Sequence, residues 1–159
     1  MATITSLLKA ATGNSQRGRN PYMVENTLDI VATTVDPSSG DVVQAITIPA
    51  GTKILAAGLE VVESATMNTG TDATVTVGAA DADEYVTSFD IDGAADGAYA
   101  PSVTVSADVV LSSADTLDVT FAGTGASFTA GKLRVYAIMM DVSSQGDTSA
   151  DEVDRDTLA

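Results

Sequence analysis

Residues 132–142 read Lys132-Leu-Arg-Val-Tyr-Ala-Ile-Met-Met-Asp-Val142, and this stretch is apolar on both sides of an extended chain. Successive side chains of a β-strand point to opposite faces of its sheet. One face would carry Leu133, Val135, Ala137 and Met139, and the other Tyr136, Ile138 and Met140. The stretch therefore predicts a central strand, or a strand with one face in the core and the other against a neighbouring subunit.

Seven further segments have strand character, and turn residues separate them. Asp36-Pro-Ser-Ser-Gly40 and Pro49-Ala-Gly-Thr52 are turn sequences, because Pro presets φ and Gly accepts a positive φ, as expected at Gly51. The segments are Thr27–Val35, Asp41–Ile48, Lys53–Val62, Ala73–Val77, Glu84–Ile91, Val103–Leu111 and Asp115–Ala122. In Glu84–Ile91, alternation predicts that Tyr85, Thr87, Phe89 and Ile91 share one face.

Eight short strands at this spacing predict an all-β fold, an antiparallel β-sandwich of the jelly-roll type. An immunoglobulin-like sandwich is the alternative, although the Cys…Trp…Cys pattern of that fold is absent. The apolar residues are largely Ala and Val, with three Phe and four Tyr, so we expect a thin core between two packed sheets.

The 159 residues contain neither Cys nor His. Thiolate metal sites, thiol nucleophiles and Ser–His–Asp catalysis are therefore excluded for this chain alone. The commonest general base and metal ligand is missing as well. We expect a non-enzymatic protein without a cofactor.

The charge is unevenly distributed along a chain of net charge −15. Residues 1–24 hold Lys9, Arg17 and Arg19 and no acid, whereas the remainder holds 22 acids and four bases. We interpret residues 1–26 as an extended N-terminal arm, 27–142 as the sandwich body and 143–159 as an acidic tail. The negative charge of the body disfavours nucleic acid as its partner, and no apolar run is long enough to span a bilayer.

Arg17 and Arg19 lie close together in the acid-free segment. They predict an arm that docks on an acidic surface through charge-assisted hydrogen bonds. A solvated linker with incidental charge is the alternative.

Several acids cluster around the Glu84–Ile91 segment, and their carboxylates are ligands that suit Ca²⁺. Their spacing does not match an EF-hand loop, and acids at loop ends also serve solubility and protect sheet edges. We expect no metal site here, with a calcium site as the alternative. The candidate ligands are Asp81, Asp83, Asp90 and Asp92, with Glu84 and Asp96 nearby.

Two segments resemble sequences of virion proteins from tailed bacteriophages. They are the turn Ile48-Pro-Ala-Gly-Thr52 and the run Thr74–Asp92, Thr-Val-Thr-Val-Gly-Ala-Ala-Asp-Ala-Asp-Glu-Tyr-Val-Thr-Ser-Phe-Asp-Ile-Asp, which a Gly/Ala-rich loop follows. The body is similar in style to the small capsid decoration, or cement, proteins of such phages.

The resemblance implies a β-sandwich that forms a homotrimer on the outer surface of the capsid and bridges subunits of the major capsid protein. In such proteins the terminal arms often lie across adjacent subunits, and no catalytic residue comes with the family. The capsid-contact residues that follow for this chain are Ile4, Leu7, Leu8, Lys9, Arg17, Arg19, Tyr22 and Met23.

Two other functions remain open. The polar loops Ser64–Ala73 and Asp92–Pro101 are compatible with a receptor- or glycan-binding module, such as a head fibre or a tail accessory domain. The acid cluster is compatible with a Ca²⁺-dependent surface adhesion domain.

Overall fold

The computed structural model describes residues 20–31, 35, 37–67, 70–100, 110–125 and 128–142. Within these ranges all regular structure is β, in two antiparallel sheets. The predicted all-β sandwich is therefore confirmed. The predicted arm up to residue 19 and the tail 143–159 lie outside the described residues. No helix in the described ranges has the length and apolar character needed to cross a membrane.

Two sheets of unequal size form the sandwich. The smaller has the strand order β1-β7-β3 and the larger has the order β2-β6-β4-β5. β7 is thus a central strand, as the two apolar faces of residues 132–142 predict. The strands are β1 Tyr22–Asp29, β2 Val42–Ile48, β3 Thr52–Met67, β4 Gly70–Gly78, β5 Val86–Asp90, β6 Asp115–Gly125 and β7 Phe128–Asp141.

The strand pairing is nested along the chain. The first strand pairs with the last, β2 pairs with β6, and β4 pairs with β5, all antiparallel. The other edge of β3 bridges Tyr99 through Glu60 and Val110 through Lys53. A chain paired in this way is a hairpin rolled into two sheets, which is the jelly-roll topology. The predicted strand Val103–Leu111 lies mostly outside the described residues.

The first strand begins earlier than the sequence predicts. Thr27–Val35 was the expected strand, but β1 covers Tyr22–Asp29, so residues 22–26 of the predicted arm pair with β7 in the sheet. The strand ends where the Asp29 carboxylate accepts a hydrogen bond from the Val31 N–H at 3.1 Å, which turns the chain. Leu28 and Ile30, two residues apart, are both buried, as period-two alternation requires of residues that share a face.

The predicted alternation in Glu84–Ile91 is wrong at one position. Tyr85 and Ile91 are buried as expected, but Val86 is also buried and Thr87 is exposed. The cause is a register shift between β4 and β5, because a bulge moves the following side chains to the other face.

The core is thin and built mainly from aliphatic side chains. Its fully buried members include Ile48, Leu59, Leu117 and Leu133. One aromatic contact reinforces it, since the rings of Phe121 and Phe128 meet edge to face with 6.2 Å between their centroids. This matches the Val- and Ala-rich composition.

Glycines make the predicted turns. Gly40 has a φ of 90° and Gly51 a φ of 77°, in the left-handed region where a side chain is strained. The Gly51 N–H also donates to the Leu111 carbonyl at 2.7 Å, which ties the turn to the segment before β6.

The two faces of β6 predict different responses to truncation. We expect Leu117→Ala to lower the free energy of unfolding by about 2 to 5 kcal/mol, because Leu117 is fully buried between the sheets. Thr120→Ala, on the outer face of the same strand, should change it by less than about 0.5 kcal/mol. Urea denaturation measures both, and equal losses would contradict the assignment of the faces.

Candidate interaction face

The candidate functional site is the outer face of the β1-β7-β3 sheet, which we call the interaction face. The core side of β7 is buried along Leu133, Val135, Ala137 and Met139. The side chains between them lie outward and are only partly covered. In the described part of the chain, nothing packs over this row as a second layer would. The outward residues are Lys132, Arg134, Tyr136, Ile138 and Met140.

One end of the interaction face is apolar. The registers place Met23 of β1 and Ala56 of β3 on either side of Ile138. Residues directly opposite in antiparallel strands have contacting side chains. Met23 is 59% exposed, and Tyr22 beside it is 41% exposed. This apolar corner, formed by Met23, Ile138, Met140 and Ala56, is also where the chain enters β1 and leaves β7. Tyr22 is opposite Met139 and therefore lies on the other side of β1.

Aromatic side chains occupy the middle. The Tyr136 hydroxyl lies over Gly58, and a Cβ added at Gly58 would be 2.6 Å from that oxygen. Glycine therefore lets the Tyr136 ring lie flat on the strand. Tyr99 packs edge to face on Tyr136, with 6.3 Å between the ring centroids, and remains 60% exposed.

The loop before Tyr99 is held on the edge of β3 by backbone hydrogen bonds. The Gly97 N–H donates to the Val61 carbonyl at 2.7 Å, and the Ala100 N–H donates to the Leu59 carbonyl at 2.9 Å. The Asp96 carboxylate accepts from both the N–H and the hydroxyl of Ser64, at 2.7 and 2.6 Å. These bonds hold the pKa of Asp96 below its usual value. They place Tyr99 on the interaction face.

The other end is charged. Arg134 forms an ion pair with Glu60 at 3.0 Å, and Lys132 forms one with Glu63 at 2.7 Å. The Glu63 carboxylate raises the pKa of Lys132. Both pairs are partly exposed, so each contributes little to stability. Lys53 lies at the apolar end, opposite Met140. Together with Lys132 and Arg134 it makes up the three bases between residues 20 and 142, and all three lie on this face.

The outer face of the four-stranded sheet is entirely different. Its outward pairs carry mainly Thr and Asp, as in Thr76–Thr120, Thr47–Thr116 and Gln44–Asp118, and Val42 is the large apolar side chain exposed on it. No base lies on these strands. Short hydroxyl and carboxylate side chains are typical of a surface that stays hydrated.

Interfaces are enriched in Tyr, Met and Arg relative to other protein surfaces. One sheet of this sandwich presents those residues outward and the other presents Thr and Asp. The two outer faces therefore differ in chemistry, one having the composition of an interface and the other that of a hydrated surface.

The structure describes two of the residues predicted to contact a capsid. Met23 lies in the apolar corner, opposite Ile138, whereas Tyr22 is opposite the core residue Met139 and lies on the other side of β1. The remaining predicted contacts, Ile4, Leu7, Leu8, Lys9, Arg17 and Arg19, lie outside the described residues.

The acids predicted as alternative calcium ligands do not converge. Among the described residues no three Asp or Glu side chains form a group that could hold a metal ion. The Asp90 carboxylate accepts hydrogen bonds from the N–H groups of Asp92 and Gly93, and Asp92 accepts from the Ala73 N–H at 3.2 Å. The hydrogen bond between the two carboxyls lowers the pKa of Asp90 and raises that of Asp92. The hydrogen bonds of these two acids stabilise the loop that follows β5.

Depressions on the described surface are shallow. One, of about 520 Å³, is lined by Val35 and residues 41–44 at the edge of β2. A smaller one lies against Ala114, Asp115 and Thr116. These linings offer one or two carboxylates and no convergent set of reactive groups.

Sequence reasoning missed Tyr99, Lys53 and Arg134 as parts of the interaction face. Strand alternation could have placed the two bases on the outer face, because each lies between two residues whose side chains are buried. Tyr99 carried no such signal, since its position depends on pairing between a loop and the distant edge of β3.

Comparison with known proteins identifies the fold. No protein-family profile matches the sequence, and no curated protein matches it. The structure is similar to a chain in the capsid asymmetric unit of cyanophage Pam1, with a TM-score of 0.63 and 20% identity over 87% of this chain and 97% of that one.

Two further capsid structures contain similar chains. A chain of the Ralstonia phage GP4 capsid matches with a TM-score of 0.55 and 16% identity, over 87% of this chain and 94% of that one. A chain of the acid-stable capsid of Helicobacter pylori phage KHP30 matches with a TM-score of 0.52 and 16% identity, over 77% and 89%. At this level of identity the likeness establishes a shared fold.

Tyr136 provides a test of the packing on the interaction face. Burial, followed by the neighbouring Tyr99 and Glu60, raises the pKa of Tyr136 above the usual 10.0. The folded state thus favours the neutral phenol, so this stabilisation is complete below pH 10 and is lost as the pH rises through the raised pKa. We expect the free energy of unfolding to fall more steeply above pH 10 for the native chain than for Tyr136→Phe. Glu60→Gln should reduce the steepness, and identical pH profiles in urea denaturation would contradict the packing.

Proposed function

We propose that this chain is a non-enzymatic decoration, or cement, protein of a tailed-bacteriophage capsid. It forms a homotrimer on the outer capsid surface and bridges subunits of the major capsid protein. The observation that carries the proposal is the contrast between the two outer faces of the sandwich.

That contrast fits a protein held between a particle and water. The interaction face offers apolar, aromatic and basic side chains, which suit contact with neighbouring chains. The Thr- and Asp-rich face of the other sheet suits exposure on the outside of the particle. Its negative charge also keeps particles apart in solution.

The structural neighbours support a virion role. Three capsid structures contain chains with this fold, and the match spans nearly the whole of those chains as well as most of this one. The matched chains are therefore of similar length to this protein. A small β-sandwich of this size is a recurrent component of such particles.

The N-terminal segment supplies the reach that bridging needs. Extended, its 19 residues span about 60 Å. Ile4, Leu7 and Leu8 with Lys9 are the proposed contacts with the shell, together with Tyr22 and with Met23 of the apolar corner. Burial of one large apolar side chain contributes about 1.5 to 3 kcal/mol before the cost of ordering the segment. Three copies in a trimer bind together, so modest single contacts yield firm attachment.

Binding to empty shells tests the proposal. The full chain is mixed with capsids assembled from the major capsid protein alone, and attachment is measured by co-sedimentation. We expect Met23→Asp and Leu8→Asp each to weaken attachment by about tenfold or more, because each places a charge in an apolar contact.

Thr120→Asp is the matched control, since it adds the same charge to the outer face of the other sheet. It should bind like the native chain. Absence of attachment by the native chain would overturn the proposal, and equal weakening by all three variants would show that the contrast between the faces is irrelevant to binding.

One observation favours a second function, binding of a glycan receptor. Tyr99 is largely exposed and stacked on Tyr136, beside the Glu60–Arg134 ion pair, and sugars pack on such aromatic platforms with polar groups alongside. A glycan array tests it, with Tyr99→Ala as the control. The receptor function is favoured if the native chain binds a glycan but not shells, and if Tyr99→Ala abolishes the glycan binding.

A further inference from the structure

The open edges of the two sheets differ in how they are protected. The edge of β3 is bonded to the backbone around Gly97–Ala100 and at Leu111. β2 carries a bulge at Ala45, whose carbonyl accepts a hydrogen bond from the Asn26 side chain at 2.8 Å. β5 is five residues long and also has a register shift. Short strands and bulges are the usual ways in which proteins block addition of another strand.

β1 has none of these protections among the described residues. It is eight residues long and pairs with β7 in one unbroken register. The Ile30 N–H donates to the Gly131 carbonyl at 3.2 Å. The backbone N–H and C=O groups of every second residue before Ile30 therefore also face β7. The backbone groups of Met23, Glu25 and Thr27 therefore point away from β7. No described strand pairs with them.

We infer that the open edge of β1 binds residues 12–19 of a second copy of this chain as an added antiparallel or parallel strand. This inference rests on the self-association in the proposed function and names the residues through which two copies would associate. It also assigns Arg17 and Arg19 to the neighbouring copy, and leaves Ile4, Leu7, Leu8 and Lys9 for the shell.

The charges of the two partners are complementary. Residues 12–19 contain Arg17 and Arg19 and no acid, and their spacing of two puts both side chains on one side of an extended chain. On β1, the outward side chains between Met23 and the end of the strand are Glu25, Thr27 and Asp29, and β1 has no base. The arginines of the added strand would lie beside the two acids. No proline interrupts residues 12–19, so every N–H is available for pairing.

The same segment is poorly placed to pair with its own β1. Asn20 and Pro21 join Arg19 to Tyr22. A two-residue hairpin turn of the common type I′ needs a positive φ at both of its residues, and proline cannot adopt a positive φ. Asn20 and Pro21 span only about 7 Å, so the neighbouring β1 must lie close by. A head-to-tail contact of this kind forms a ring when its rotation closes, and a rotation of about 120° gives the proposed trimer.

Hydrogen exchange on the full chain without shells tests the inference. We expect the amides of Met23, Glu25 and Thr27 to be as protected as those of Val24 and Asn26. Thr27→Pro removes one outward N–H and is tolerated on an edge strand. In this variant the Met23 and Glu25 amides should lose protection while Val24 and Asn26 keep theirs, and the mass by sedimentation equilibrium should fall from a multiple of 16.1 kDa to a single chain.

Thr27→Val is the matched control, because it keeps the N–H and should behave like the native chain. A cross-link provides a test that does not depend on how the proline variant folds. The chain has no cysteine, so Arg17→Cys and Thr27→Cys chains can be mixed and oxidised. A disulfide that joins the two different chains is expected.

Three outcomes would overturn the inference. These are a full chain that is monomeric, an oligomer whose Met23 and Glu25 amides exchange freely, and a disulfide that forms only within a chain carrying both cysteines. Shell binding is measured separately. A protein that binds shells as a monomer would therefore defeat the strand addition and leave the capsid role standing.

Discussion

The antiparallel pairing of β7 with strands on both of its edges is the interaction on which the rest of this molecule depends. Among the described strands, β1 and β3 are joined into one sheet only through β7, and two residues of chain link β7 to β6 of the other sheet. The register with β1 and β3 decides which side chains oppose one another. It therefore creates both the core row at Leu133 and the outward row at Ile138.

The two faces of β7 lie in different surroundings. Its inward side chains fill a thin core, and its outward side chains would face water if the protein acted alone. Met and Ile in an outward row gain nothing from exposure, whereas the Thr rungs of the other sheet are suited to it. The difference between two sheets of one sandwich is thus a physical reason to expect a neighbouring chain on one side.

Much of the fold could be predicted from local patterns. Period-two alternation located β2, β4, β6 and β7, and Pro and Gly located the turns, since these signals depend on residues close in sequence. The start of β1 was not visible, because Tyr22–Asn26 do not alternate and are ordered by pairing with a strand more than a hundred residues away. The burial of Val86 was missed for a similar reason, as the bulge that turns it inward arises from the register with β4.

The candidate site, like the fold, could be predicted only where local patterns determine it. By itself the sequence determined that β7 has two apolar faces, that the N-terminal segment is free of acid, and that histidine and cysteine chemistry is absent. Only the tertiary structure decided that the three bases, Tyr99 and the apolar corner share one face, and that β1 has an open edge. The physical reason is that alternation fixes which side of a strand a residue occupies, whereas strand order and register, set by hydrogen bonds between distant segments, fix which sides come together.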